Sequence, residues 1–145
     1  MKSREYMETL TINLQELKDM KYAQNHVYQD GFRNRNKDGL ISSLSTVTGI
    51  LTTIFNLPTP LIVADAVFSL LAALAPNEKD VLGRQIVNGV SDMDTVIEWF
   101  ENNPQYDLIK IKMSFLEYPD YDMRFVTYGN TDRIVAAHTD GGWQY

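Results

Sequence analysis

GLISSLSTVTGILTTIFNLPTPLIVADAVFSLLAALAPN, residues 39–77, holds a single formally charged side chain, Asp65, in a chain that is otherwise about one quarter charged. Leu40, Ile41, Leu44, Val47, Leu51, Ile54 and Phe55 recur at helical spacing, and Ser42, Ser43, Ser45, Thr46, Thr52, Thr53 and Asn56 fill the other face. The pattern predicts an amphipathic helix over about 40–56 whose polar face is neutral. Pro58 and Pro60 stop it, because each lacks a donor and pushes the preceding residue out of helical geometry. Thr59 followed by Pro60 then reads as a capping hydroxyl with proline at the first helical position. The next run, 61–75, is apolar nearly all the way round, which predicts a helix hidden from water, either at the centre of a bundle or in lipid. Each arm reaches roughly 24–27 Å against a hydrocarbon core of ~30 Å, and the prolines bar one continuous span. The expectation is a central, buried hairpin, with Asp65 at an exposed edge or paired with a donor, and conditional membrane insertion is the second reading.

Working outward, residues 1–21 carry Glu5, Glu8, Glu16 and Asp19, so no secretory signal is legible, and a cytoplasmic location or release without a classical signal is expected. Tyr6, Leu10, Leu14 and Leu17 are spaced by three and four, which predicts a first helix over about 3–24, capped by Ser3. Residues 25–39 lack either period and read as a long connector. Asn34, Asn36, Asp38, Gly39 and Ile41 echo half a calcium loop, but Ser45 stands where a bidentate Glu is needed, so no metal is expected. Beyond the hairpin, Asn77 caps a helix ending at Gly89, and Ser91 with Asp94 starts a fifth helix that stops before Pro104. Trp99 on that helix reads as core or as a lipid-interface anchor.

From Leu108 the period becomes two: Ile109, Ile111, Met113 and Phe115 alternate with Leu108, Lys110, Lys112 and Ser114. Turns at Pro119-Asp120 and 129–132 delimit further strands at 123–128 and 133–139, and Asp140-Gly141-Gly142 turns the chain again. The fold class expected is α+β. About five helices in residues 1–103 surround the apolar hairpin, followed by a three- or four-stranded antiparallel meander in 104–145, all in a single domain.

The function classes narrow as well. With no cysteine, disulfides, thiol nucleophiles, Cys-based zinc sites and Fe–S clusters are excluded. A net charge of −6 argues against a nucleic-acid partner. The one basic run, Arg33, Arg35 and Lys37, is bounded by Asp30 and Asp38 and reads as a solvated loop. His26 and His138 are the only imidazoles; His138 with Asp140 can share a sheet face, yet no nucleophile, metal or phosphate-loop signature accompanies them. Glu117, Asp120 and Asp122 cluster at a turn, where acids are favoured for backbone reasons. No catalytic residue and no cofactor is expected.

Gly49-Ile50-Leu51 through Leu70-Leu71-Ala72-Ala73-Leu74-Ala75-Pro76, with Trp99 further on, resembles the hydrophobic helical hairpin of pore-forming toxin domains, those of the insecticidal crystal toxins and the colicins. The likeness covers about a quarter of the chain and lies in residue character. It implies a membrane-active protein of toxin or bacteriocin type, with lipid as its partner and Leu51, Ile54, Phe55, Asp65, Phe68 and Leu71 on the inserting hairpin. The alternative expectation is a non-enzymatic protein-binding module, such as an immunity protein, an antitoxin-like factor or a phage-encoded inhibitor. It would act through Tyr118, Tyr121, Tyr128 and Trp143, and the hairpin would serve only as core.

Overall fold

In the computed structural model, which describes residues 2–145, the chain opens as a strand and not as the helix that its spacing predicts. Strand β1 is Arg4–Ile12 and helix α1 is Leu14–His26. Tyr6 and Leu10, four apart, satisfy a period of two as well as one of 3.6, and Thr9, Thr11 and Ile12 are β-branched, which favours the pleat. The helix start belongs to Asn13, not Ser3: its Oδ1 accepts the Glu16 N–H at 2.7 Å and the Glu16 carboxylate accepts the Asn13 N–H at 3.0 Å.

The expected connector is largely helical. A π-helical turn, Val27–Arg33, continues α1, and α2 follows at Lys37–Leu44. Asn36 caps α2 by accepting the Gly39 N–H at 2.9 Å, so the oxygen that the calcium echo assigns to a cation is used by the backbone. The predicted 40–56 helix is broken into α2, a 3₁₀ segment at Ser45–Ile50 and α3 at Leu51–Phe55, with Val47 leaving helical geometry at φ −130°. Asn56 ends α3 in the left-handed region, and Pro58 keeps Leu57 out of helical geometry beyond it. Helix α4, Pro60–Ala73, starts at Thr59, whose hydroxyl accepts the Ile62 N–H.

Helix α5, Pro76–Asn102, is one continuous helix where two were expected. Its N-cap is Ala75, two residues before the expected cap Asn77, and the Ala75 N–H donates to Glu78 at 3.0 Å. Gly89 does not end it, because a helical glycine costs only about 1 kcal/mol relative to alanine and the absence of a side chain lets the helix approach the Val126 carbonyl.

Strand β2, Leu108–Tyr118, organises the sheet. Its one edge pairs with β1 along the whole length, from Arg4↔Glu117 to Ile12↔Ile109. Its other edge is shared: β3, Met123–Tyr128, takes 114–118 and β4, Ile134–Thr139, takes 108–111. Strand β5, Gly142–Gln144, pairs with β4. The expected meander is therefore corrected. β3 and β4 do not pair with each other but run end to end along β2, because the 129–133 turn carries the chain onward. Asp92 on α5 holds that turn by accepting from the Gly129 N–H at 3.1 Å and the Asn130 side chain at 3.2 Å. With the N-terminal strand included, the sheet has five strands.

The even positions of β1 and the odd positions of β2 face a hydrophobic cluster shared with the helices, in which Phe55 and Phe125 meet edge to face at 6.2 Å. Among the described residues, the edge of β3 away from β2 has no strand neighbour. The buried Gln24 amide of α1 supplies its hydrogen bonds, accepting the Val126 N–H at 2.9 Å and donating to the Val126 carbonyl at 2.7 Å and the Ile86 carbonyl at 3.1 Å.

Candidate functional site

The hairpin is not sheathed by the other helices. α2 and α4 pack against each other and against the π-helical turn, and their outer faces are open. Of the residues assigned to an inserting hairpin, Leu51, Ile54, Phe55 and Leu71 lie in the core, Phe68 is half-buried and Asp65 is exposed. Helix α4, expected to be hidden from water, shows it Leu61 at 54% and Ile62 at 43% exposure, together with Ser69, Ala72 and Ala73. The outward positions of α2, the 3₁₀ segment and α3 carry Ser42, Ser45, Thr46, Thr48 and Thr52. Asp65 is paired with Lys37 at the start of α2. Both side chains are about half exposed, so the pair adds little to stability while cancelling the charge of the surface.

One buried cation ties this hairpin to the sheet. Arg124 of β3 is 3% exposed. Its Nη2 donates to the Thr53 carbonyl at 2.6 Å and its Nε to the Ile54 carbonyl at 3.3 Å, two acceptors that the last turn of α3 leaves without a helical partner. Nη1 donates to the Tyr6 hydroxyl at 2.9 Å, Nη2 pairs with Glu8 at 2.9 Å, and the guanidinium lies 3.7 Å from the centre of the Phe115 ring. Sequence reasoning passed over this residue. Its signal was a lone arginine inside the apolar run Met123-Arg124-Phe125-Val126, where a cation needs several acceptors.

The aromatic residues assigned to a partner surface do not form one patch. Tyr118 is buried at 7% exposure, and Tyr121 packs against the core. Tyr128 and Trp143 stand on the open face of the sheet. Tyr128 donates its hydroxyl to Asp132, and Trp143 lies under Lys110, 4.5 Å from its ammonium, and against His138. Burial and the Glu78 charge push the Tyr118 phenol above its ordinary value of about 10. A raised native value means that the unfolded chain loses this proton first, so the stabilisation is intact below pH ~10 and falls as pH rises through the native value. Thermal melts above pH ~10 should therefore show a steeper alkaline loss for the parent than for Tyr118→Phe; parallel curves would mean that this phenol is not desolvated.

The histidines are orienting groups without a nucleophile. His138 Nδ1 meets Asp107, not Asp140, at 2.7 Å, and this contact holds the Asp107 carboxyl below its usual range. His26 Nδ1 lies 3.0 Å from Asp30 Oδ2, which also accepts the Ser43 hydroxyl at 3.2 Å. The carboxylate sits between serine and imidazole, so the imidazole is not placed to take the serine proton. Glu117 is occupied by Arg4 at 2.6 Å. Among the described residues, no three acidic or imidazole side chains converge on a metal position. No protein-family model matches the chain, and neither a curated protein nor a solved structure matches it.

Proposed function

We propose that the chain is a small membrane-active protein that meets a bilayer with residues 39–77. The observation that carries this reading is the charge pattern of the hairpin's open face: its only ionised side chain, Asp65, is already countered by Lys37. Lys37–Phe55 is also long and apolar enough, by length and composition, to cross a membrane. In the folded protein the kink at Val47 divides it; straightened, 19 residues reach about 28 Å. Insertion then has three local requirements: opening the Lys37–Asp65 pair, releasing the Arg124 contacts with the end of α3, and rewinding the 3₁₀ segment.

Release of dye from anionic and neutral vesicles, at neutral and mildly acidic pH, tests the proposal. The parent is expected to cause leakage at a low protein-to-lipid ratio. Asp65→Asn removes the one carboxylate that the α4 arm must carry into lipid and should speed leakage about tenfold at neutral pH. Its melting temperature should change little, because the pair is exposed. An Asn variant no faster than the parent removes the role given to Asp65, and absence of leakage under every condition removes the membrane reading. In that event the open sheet face becomes the working surface of a protein-binding module. There Met7 is 58% exposed beside Arg133, with Tyr128 and Trp143 on the same face.

A further inference from the structure

The basic run, taken from the sequence as a solvated loop, is folded onto the first half of α5. Arg33 and Arg35 line one side of a cleft of about 700 Å³, and Lys79 and Arg84 line the other. Asp80 is, among the described residues, the only carboxylate in its wall, in a chain of net charge −6. Among the described residues none of the four cations has a carboxylate within ion-pairing distance, a condition they share with Lys2, Lys18, Lys110, Lys112 and Arg133, and what sets them apart is that they line one cleft. Arg33 donates to the Gln29 side chain at 3.3 Å and Arg35 uses its Nε on the Phe32 carbonyl at 3.3 Å, which leaves most of each guanidinium fork unused.

The cleft is built by the unusual backbone on its rim. The π-helical turn brings Tyr28 and Phe32, stacked at 6.2 Å, over α5 at Gly83, where a Cβ would make ordinary contact with the Tyr28 ring at 3.4 Å. π-helical turns recur at functional sites. Arg35 itself is held at φ +51°, a conformation unfavourable for a residue with a side chain. The Asn34 and Asn36 N–H groups, bonded to the Gln29 and Asp30 carbonyls at 3.0 and 2.7 Å, keep it there. Four cations collected around a single carboxylate, Asp80, repel one another. A fully ionised dianion with several acceptor oxygens relieves that repulsion and fits the arginine forks better than a single carboxylate does.

We infer that this cleft binds the phosphate group of a phosphomonoester, carried either by a free small molecule or by a lipid headgroup. The inference does not depend on hairpin insertion, and its readout is binding, not leakage. Amide NMR of the full chain, titrated with inorganic phosphate and with phenyl phosphate at constant ionic strength, should give saturable shifts at Gly83 and Arg35. The double variant Arg33→Gln, Arg84→Gln alters exposed side chains and should keep the parent's melting temperature while weakening both titrations at least about tenfold. The control pair Lys18→Gln, Lys112→Gln, with the same loss of charge elsewhere, should weaken neither.

Sedimentation with phosphatidylcholine vesicles, with and without phosphatidic acid, separates the sources. Binding that requires phosphatidic acid and is lost in the double variant assigns the cleft to a lipid headgroup; cleft shifts with the soluble phosphates alone assign it to a free ligand. The inference is overturned if no probe shifts the cleft amides and phosphatidic acid makes no difference to sedimentation. Equal weakening by the double variant and the control pair overturns it too, because binding would then follow net charge.

Discussion

Gly89→Ala is expected to destabilise the protein by about 3 kcal/mol and to lower its melting temperature by about 10 °C, measured by circular dichroism. In the middle of a helix this substitution normally stabilises, by about 1 kcal/mol. Here α5 crosses β3 so closely that an alanine methyl would fall inside the contact distance of the Val126 carbonyl oxygen and lie 2.8 Å from the Gln24 amide nitrogen. Backbone cannot rotate away as a side chain can, so α5 must lift off the sheet or Gln24 must surrender its bonds to Val126. The second route leaves a buried N–H and carbonyl unpaired, at about 1–3 kcal/mol for each group. Gly49→Ala is the matched control. It also has no positive φ, nothing lies within 4 Å of its would-be Cβ, and the substitution should leave stability unchanged or raise it slightly. Equal melting temperatures for both variants would place α5 and β3 further apart than the Gln24 bonds imply.

The same crossing explains where the sequence is legible and where it is not. Signals that act within a few residues carried through: Thr59-Pro60 starts α4, the 56–60 segment ends α3, and the alternation from Leu108 is β2. The α+β class followed from these. The misreadings share another cause, that the deciding contact is remote in sequence. Gly89 resembles a helix stop until β3 is packed on it. Residues 4–12 fit two periods, and only pairing with β2, more than ninety residues away, chooses the strand. The nearby Asn13-x-x-Glu16 capping box was a local clue to that helix start. The 25–39 segment has the glycines and polarity of a loop, yet it forms a π-helical turn in which Gly31 is buried, its would-be Cβ 3.0 Å from Val67. That turn gathers the cationic cleft, whose members are a third of the chain apart. The uncharged composition of residues 39–77 was visible, but their exposure was not, because exposure depends on which face of α4 is covered by α2 and the π-helical turn.

Arg124→Met should cost about 2–4 kcal/mol and, on the membrane reading, should also speed vesicle leakage by more than the lost stability explains. The methionine replaces the packing of the arginine stem against Phe115 but none of its donors. The Thr53 and Ile54 carbonyls lose their partners at the end of α3, and Glu8, 44% exposed, turns to water at little cost. Arg124→Lys keeps the charge without the fork, so it should fall between the two. Destabilisation alone can promote leakage by populating the unfolded chain, and Gly89→Ala separates the effects. It weakens the α5–β3 contact by a similar free energy while leaving every bond between Arg124 and the hairpin in place. If Arg124 is the tether, hydrogen exchange in Arg124→Met should accelerate in α3 and α4 before it does in β2, and leakage should exceed that of Gly89→Ala at equal stability. If both variants leak alike and exchange uniformly, the arginine is an ordinary piece of buried polar structure. Insertion would then require global unfolding, and not release of a hairpin.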